Sequence, residues 1–172
     1  MKALPLATGV GLDHAIAWTV DGPRRVRDLI ADARALDGHL PPCGYLLNVC
    51  QDRYRFAVGF TAGLLAGKVS LQPSSQSEET LRRVMAEHPD VVCLTDADFD
   101  SLDMPQVRFP ALPEADPKAV EDIPLIPVDR LAAVLFTSGS TGLPQPHRKT
   151  WGKLVQNGRV EAMRLGLTER PH

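Results

Sequence analysis

The sequence predicts an α/β protein built on a partial three-layer parallel sheet with flanking helices. Three observations carry that expectation. Short apolar runs at 45–50, 68–71, 91–94 and 131–135 have the length and residue types of buried strands. Between them lie segments whose apolar positions follow helical spacing, and this alternation points to parallel strands joined by right-handed crossovers. The run at 131–135 then feeds a loop, 137–142, in which every residue is small or hydroxylated.

Taken in order, Ala15 to Val20 is an apolar run suited to a strand, broken by Gly22-Pro23. Pro23 is placed to open a helix over 23–37, whose apolar face is Val26, Leu29, Ile30, Ala33 and Leu36, with Gly38 as the stop. Tyr45 to Cys50 follows as a strand, and Asp52 is the cap of a helix from about Tyr54 to Gly67. Gly59, Gly63 and Gly67, spaced four apart, give that helix a face without bulk. A membrane dimer seam would use such a face, but Phe56 to Ala66 is too short to span a bilayer, so close packing on a sheet is expected. Lys68 to Leu71 is the next strand. Ser75-x-x-Glu78 reads as a capping box for a helix carrying Leu81, Val84 and Met85, and His88-Pro89 ends it before the strand Val91 to Leu94. Prolines 105, 110, 113, 117, 124 and 127 loosen the pattern that follows, leaving one strand at Gln106 to Phe109 in an extended surface connection. Trp151 to Leu167 closes the chain as a helix with Gly158 inside it.

Composition narrows the function. The 172 residues suffice for one domain that buries about 70% of the unfolded surface. A hydrophobic fraction of 44% with 23% charged residues is globular, and a net charge of -2 leaves no basic excess for a nucleic-acid partner. Cys43, Cys50 and Cys93 lack paired spacing and read as reduced core thiols. Pro5, Gly9, Gly11, Asp13 and His14 interrupt any leader-like start, so a cytoplasmic protein without a membrane span is expected.

The loop suits phosphate. Glycines let the backbone approach an anion closely, and successive N–H groups and hydroxyls supply donors. A flexible linker would seldom leave a buried apolar run in this way. The Walker pattern fails because Pro144 stands where the residues after Gly139 would need to continue it. An earlier near-match, Gly63 to Lys68, has one residue too few between its glycines and Val69 where a hydroxyl belongs, so it reads as a helix end.

Phe136-Thr137-Ser138-Gly139-Ser140-Thr141-Gly142-Leu143-Pro144 resembles the phosphate-binding motif of the AMP-forming acyl-adenylate synthetases. That family includes acyl- and aryl-CoA synthetases, peptide-synthetase adenylation domains and luciferases. Tyr45 to Gln72 is similar to the family's first parallel unit, and Glu78 to Leu94 to its next helix and strand. The resemblance implies that residues 1–172 form a single, incomplete N-terminal segment of the AMP-binding large domain. It implies ATP with Mg2+, a small carboxylic acid as substrate, and CoA or carrier-protein phosphopantetheine as thiol acceptor. Thr137, Ser138, Gly139, Ser140, Thr141 and Gly142 would bind the ATP phosphates. Where the family carries lysine after the motif's proline this chain has Gln145, and Lys149 is the best candidate to supply the charge, ahead of His147 and Arg148.

The family's later catalytic parts have no counterpart in the sequence. The chain alone is therefore expected to be inactive, its activity needing the missing remainder, fused or supplied by a second chain, while the open edge of a truncated sheet predicts self-association. The alternative is a non-catalytic protein that binds nucleotide or a partner. His14, His39, His88 and His172 lack ligand spacing. Asp96, Asp98, Asp100 and Asp103 lack the pattern of a calcium loop and read as a solvated turn, so no metal site is expected from the side chains.

Overall fold

A computed structural model describes residues 2–98, 103–112, 116–138 and 144–167. In chain order the elements are β1 (Ala3–Pro5), β2 (Ala15–Thr19), β3 (Gly22–Arg25), α1 (Val26–Asp37), β4 (Tyr45–Asn48), α2 (Arg53–Leu65), β5 (Val69–Gln72), α3 (Glu78–Glu87) and β6 (Val91–Thr95). They continue with β7 (Gln106–Arg108), a 3₁₀ turn at Pro117–Ala119, β8 (Leu125–Pro127), β9 (Leu131–Ser138), β10 (Pro144–Thr150) and α4 (Trp151–Arg164). The main sheet has six strands in the order β10-β9-β5-β4-β6-β7. All neighbours in it run parallel except β9 and β10, which form an antiparallel hairpin.

The layers follow from the two-residue period of a strand, which sends successive side chains to opposite faces. Leu46 and Leu94 pack with Ala33 and Leu36 of α1 and Val58 and Ala62 of α2. Their neighbours Leu47 and Cys93 join Leu71 and Val134 on the other face, against Leu81 and Val84 of α3. The expected three-layer α/β architecture is present. Tyr54 ties the two helices of one layer together by donating its hydroxyl to Asp32 at 2.7 Å. Burial first, and then this bond, push the Tyr54 phenol far above its ordinary pKa.

Asp52 caps α2 as expected, accepting from the Arg55 N–H at 2.8 Å. At the other end Lys68 N–H reaches the Gly63 carbonyl and Gly67 N–H the Leu64 carbonyl, with Gly67 at φ +78°. That is a Schellman cap, which needs glycine in the left-handed region. The near-match to a phosphate loop at 63–68 is thus a helix stop. The bulk-free face of α2 lies in the core: Gly59 and Gly63 are buried in the layer that also holds Val58 and Ala62. Among the described residues no helix is long and apolar enough to cross a membrane.

Several local expectations are corrected. Pro23 belongs to β3, which pairs back on β2, and α1 begins only at Val26. Ser77, rather than Ser75, caps α3 and accepts from Thr80 N–H; Ser75 instead accepts from Ser77 N–H in the preceding turn. The proline-rich connection contributes a further strand, β8, which pairs with β1 antiparallel. Residues 144–150, which no sequence expectation made a strand, form a full edge strand. Its prolines fit there because a missing N–H is tolerated where it faces away from the partner strand.

Candidate phosphate-binding site

Because β4, β5, β6 and β9 are parallel, their carboxyl ends lie along one edge of the sheet. In open α/β sheets this is the edge where ligands bind. Most polar groups there serve the fold. The buried Asn48 amide donates to the Phe56 carbonyl at 2.9 Å and its oxygen accepts from Cys50 N–H at 3.2 Å. Gln72 donates to the Ser70 hydroxyl at 2.8 Å, and the Thr95 hydroxyl is held by Ala97.

Asp96 departs from the expectation of a solvated turn. Its side chain is only 5% exposed and accepts from the backbone N–H groups of Gln51 and Asp52 at 2.8 and 2.9 Å. Burial by itself would raise its pKa, but these donors and Arg55 outweigh burial, and the carboxyl is held below its ordinary range. Asp96 therefore locks the end of β6 to the turn that leads into α2. Asp98 pairs with Arg108 at 2.7 Å, and Asp100 lies outside the described residues. Among the described residues no group of three or more His, Cys, Asp or Glu could hold a metal ion. His88 packs at a tilt against the Tyr45 ring, centroids 4.2 Å apart, His39 contacts the Ala35 carbonyl, and His172 lies outside the described residues.

The hydroxyl-rich loop leaves β9 at this edge. Thr137 is exposed on the last turn of the strand's course, and Ser138 is paired opposite Pro144. Gly139, Ser140, Thr141 and Gly142 lie outside the described residues. The hairpin therefore positions both feet of the loop. Its register sets Gln145 opposite Thr137, His147 opposite Leu135 and Lys149 opposite Ala133. These three residues share one side of the ribbon, and Arg148 lies on the other.

Within that ribbon the Thr137 hydroxyl lies 3.1 Å from His147 Nε2. Lys149 is carried farther away: four residues along a strand place its Cα roughly 13 Å from that of Gln145. It lines, with Lys153, Gln156 and Asn157 of α4, a depression of about 580 Å³. Gln145 lines a smaller cavity of about 240 Å³ with Phe136 and, from α3, Thr80, Arg83 and Glu87. The structure thus brings His147, not Lys149, to the first hydroxyl of the loop. Reading 144–150 as a strand folded back on 131–138 would have exposed this, since residues at diagonal positions of a hairpin are neighbours.

No family profile matches the chain, and no curated protein matches it by sequence. Solved structures do match. The chain is similar to o-succinylbenzoate CoA synthetase (MenE) from Bacillus subtilis, solved with the acyl-adenylate intermediate OSB-AMP, with a TM-score of 0.65 and 19% identity. That match covers 86% of this chain and 41% of the other. A fatty acyl-adenylate ligase from L. pneumophila, in complex with acyl adenylate and pyrophosphate, matches with a TM-score of 0.59 and 20% identity over 78% of this chain and 26% of its own. PA1221, an NRPS protein containing adenylation and PCP domains, gives 0.56 and 22% over 78% and 29%. The chain spans less than half the length of these solved chains. Six strands in a mainly parallel sheet, helices on both faces and the β9–β10 hairpin together give the chain the fold of the N-terminal portion of the AMP-forming acyl-adenylate synthetases.

Proposed function

We propose that the loop between β9 and β10 holds the phosphate chain of ATP during activation of a carboxylic acid. A carboxylate oxygen attacks the α-phosphorus, the bond to the β-phosphate oxygen breaks, and acyl-adenylate and pyrophosphate result. A thiol, of CoA or of a carrier protein's phosphopantetheine, then takes the acyl group and releases AMP. The reaction needs the leaving pyrophosphate held in line and its growing charge offset. N–H groups from Gly139 to Gly142 and the hydroxyls of Thr137, Ser138, Ser140 and Thr141 are the donors in this reading. A hydrogen bond to an anionic oxygen is worth roughly 1.5–3 kcal/mol, so a few of them order the triphosphate. Lys149 acts through its charge rather than by contact. Mg2+ arrives with the nucleotide, because the described side chains form no metal site of their own.

The observation that carries the reading is the position of the loop at the carboxyl edge of a parallel sheet, with Thr137 the exposed hydroxyl at its foot. Structures of similar fold bound to acyl adenylate, and in one case to pyrophosphate, support it. The remainder of the reaction is assigned to a fused or second chain supplying what the solved neighbours carry beyond the matched portion. A cytoplasmic setting, with the three thiols reduced, completes the proposal.

Calorimetric titration with ATP and with pyrophosphate tests the cradle, and carboxylate-dependent ATP–pyrophosphate exchange tests the chemistry. The expected result is binding of both ligands by the 172-residue chain without exchange. Absence of any binding overturns the reading. Binding that persists without exchange after a complementing chain is added favours a non-catalytic nucleotide-binding protein.

A further inference from the structure

We propose that the uncovered side of α4 docks an acidic amphipathic helix of a partner protein. The inference is independent of the phosphate-binding reading and begins with how little of α4 the fold covers. Among the described residues of α4 only Trp151 is buried. Leu154 and Val155 pack beside it in the cluster around Leu64 and Ile126. Farther along, Val160 and Met163 of α4 and Leu167 just beyond it are exposed, Met163 by 63%. Their spacing of three and four residues makes one apolar helical stripe, and the fold leaves it open to solvent.

Two grooves flank this surface. One, of about 540 Å³, lies between α4 and the β1–β8 pair, where Leu4 and Val128 add apolar walls. The other, of about 600 Å³, lies between α4 and residues 6–9 and includes Gly158 and Ala162. Val155, Arg159 and Met163 line both, so the two form one continuous surface. A Cβ on Gly158 would meet no atom within 4 Å. Glycine is a poor residue inside a helix, and no close contact in the described chain requires it there. With Ala162 four residues on, it leaves a notch that admits a side chain of a second helix.

Charge selects the occupant. Lys2 and Lys153 line the first groove, and Arg159 lines both. Among the described residues the ion pairs leave all three unused. Lys149 adjoins Lys153 in the neighbouring depression. The one carboxylate of α4, on Glu161, reaches Arg164 at 3.8 Å. An apolar floor with a cationic rim fits a helix that carries leucine-like side chains on one face and carboxylates beside them. A second copy of this chain fits less well, because a two-fold contact centred on Gly158 brings like cations together. A flat lipid surface leaves both grooves unfilled.

The test titrates the 172-residue chain into a fluorescently labelled synthetic helix with leucines on one face and glutamates on the other, read by anisotropy. A counterpart with lysines in place of the glutamates is the control. The acidic helix should bind with a Kd in the micromolar range, more weakly at about 300 mM salt than at about 50 mM, and the cationic helix should not bind. Lys153→Glu with Arg159→Glu should weaken binding at least about tenfold, and Met163→Asp should abolish it. Gly158→Gln fills the notch: it should weaken binding about tenfold while leaving the melting temperature by circular dichroism unchanged or higher. No binding of the acidic helix, equal binding of the two helices, or undiminished binding by the charge-reversed or Gly158→Gln chain each overturns the inference. So does a dimer in sedimentation that Met163→Asp dissolves, which would make a second copy the occupant. Flotation with phosphatidylglycerol vesicles that the same variants abolish would assign the surface to lipid and overturn it as well.

Discussion

Gly59 of α2 lies directly against Asn48 of β4: a Cβ built on Gly59 would come within 2.6 Å of the Asn48 amide nitrogen and 2.5 Å of Leu94 Cδ2. Asn48 cannot yield freely, because it bridges the Phe56 carbonyl and Cys50 N–H. Gly59→Ala should therefore destabilise the protein by about 1–3 kcal/mol through overpacking. Gly63, one turn on, meets Leu46 Cδ2 at 3.4 Å, an ordinary contact. Gly63→Ala should be neutral or stabilising by up to about 1 kcal/mol, as alanine favours a helix over glycine. Urea unfolding of the two variants checks the contrast.

Asp96 links acid stability to the candidate site. Its folded pKa is depressed below the ordinary 3.8, so its contribution is present above that value and lost as pH falls through the folded pKa. Asp96→Asn should cost about 1–3 kcal/mol near neutrality, since one of the two backbone donors, Gln51 or Asp52 N–H, loses its charged acceptor. The variant should also lose less stability than the wild type on acidification below about pH 4. Denaturant midpoints measured across that range decide it.

The thiols should react in a fixed order. Burial raises Cys50, with the nearby Asp96 charge adding to it, and burial raises Cys93, each to about 12. Cys43 is only partly buried, and its pKa is raised as well. At mildly alkaline pH a maleimide should label Cys43 in the native protein, slowly, and reach Cys50 and Cys93 only after denaturation. Mass spectrometry of the labelled peptides reads the order.

The edge strand carries its own protection against pairing with other chains. Pro144 and Pro146 cannot donate to β9, so the N–H side they would occupy is the open side of the sheet. Replacing both prolines with valine restores two donors on an open edge and should raise self-association, measured by light scattering against the parent chain.

Much of this architecture was legible because burial imposes period. The strands and helices from Tyr45 to Leu94 read correctly from apolar runs, helical spacing and the Asp52 cap, all local signals, with the cap of α3 displaced by two residues from Ser75 to Ser77. The larger failures are places where a distant partner decides. Pro23 in its local sequence suits a helix opening, yet pairing with Trp18 makes it part of a hairpin. Pro144 and Pro146 argue against a strand in isolation and become acceptable only on an outer edge. The same holds at the site. The loop's composition by itself motivates the phosphate-binding proposal. The nearness of His147 to Thr137 depends on cross-strand register, which no single segment encodes.

Thr150 is both the last residue of β10 and the residue whose hydroxyl caps α4, accepting from Lys153 N–H. Trp151 then anchors the helix by donating its indole N–H to the Leu4 carbonyl at 3.3 Å. The two ends of the hairpin strand consequently differ in their tolerance to change of length. Residues added between Ser138 and Pro144 lengthen the connection between the paired strands, at an entropic cost that grows slowly with length. One residue added at Thr150 would turn α4 by about 100° and carry Trp151 out of its seat. The joint into α4 therefore holds its spacing more strictly than the segment between Ser138 and Pro144.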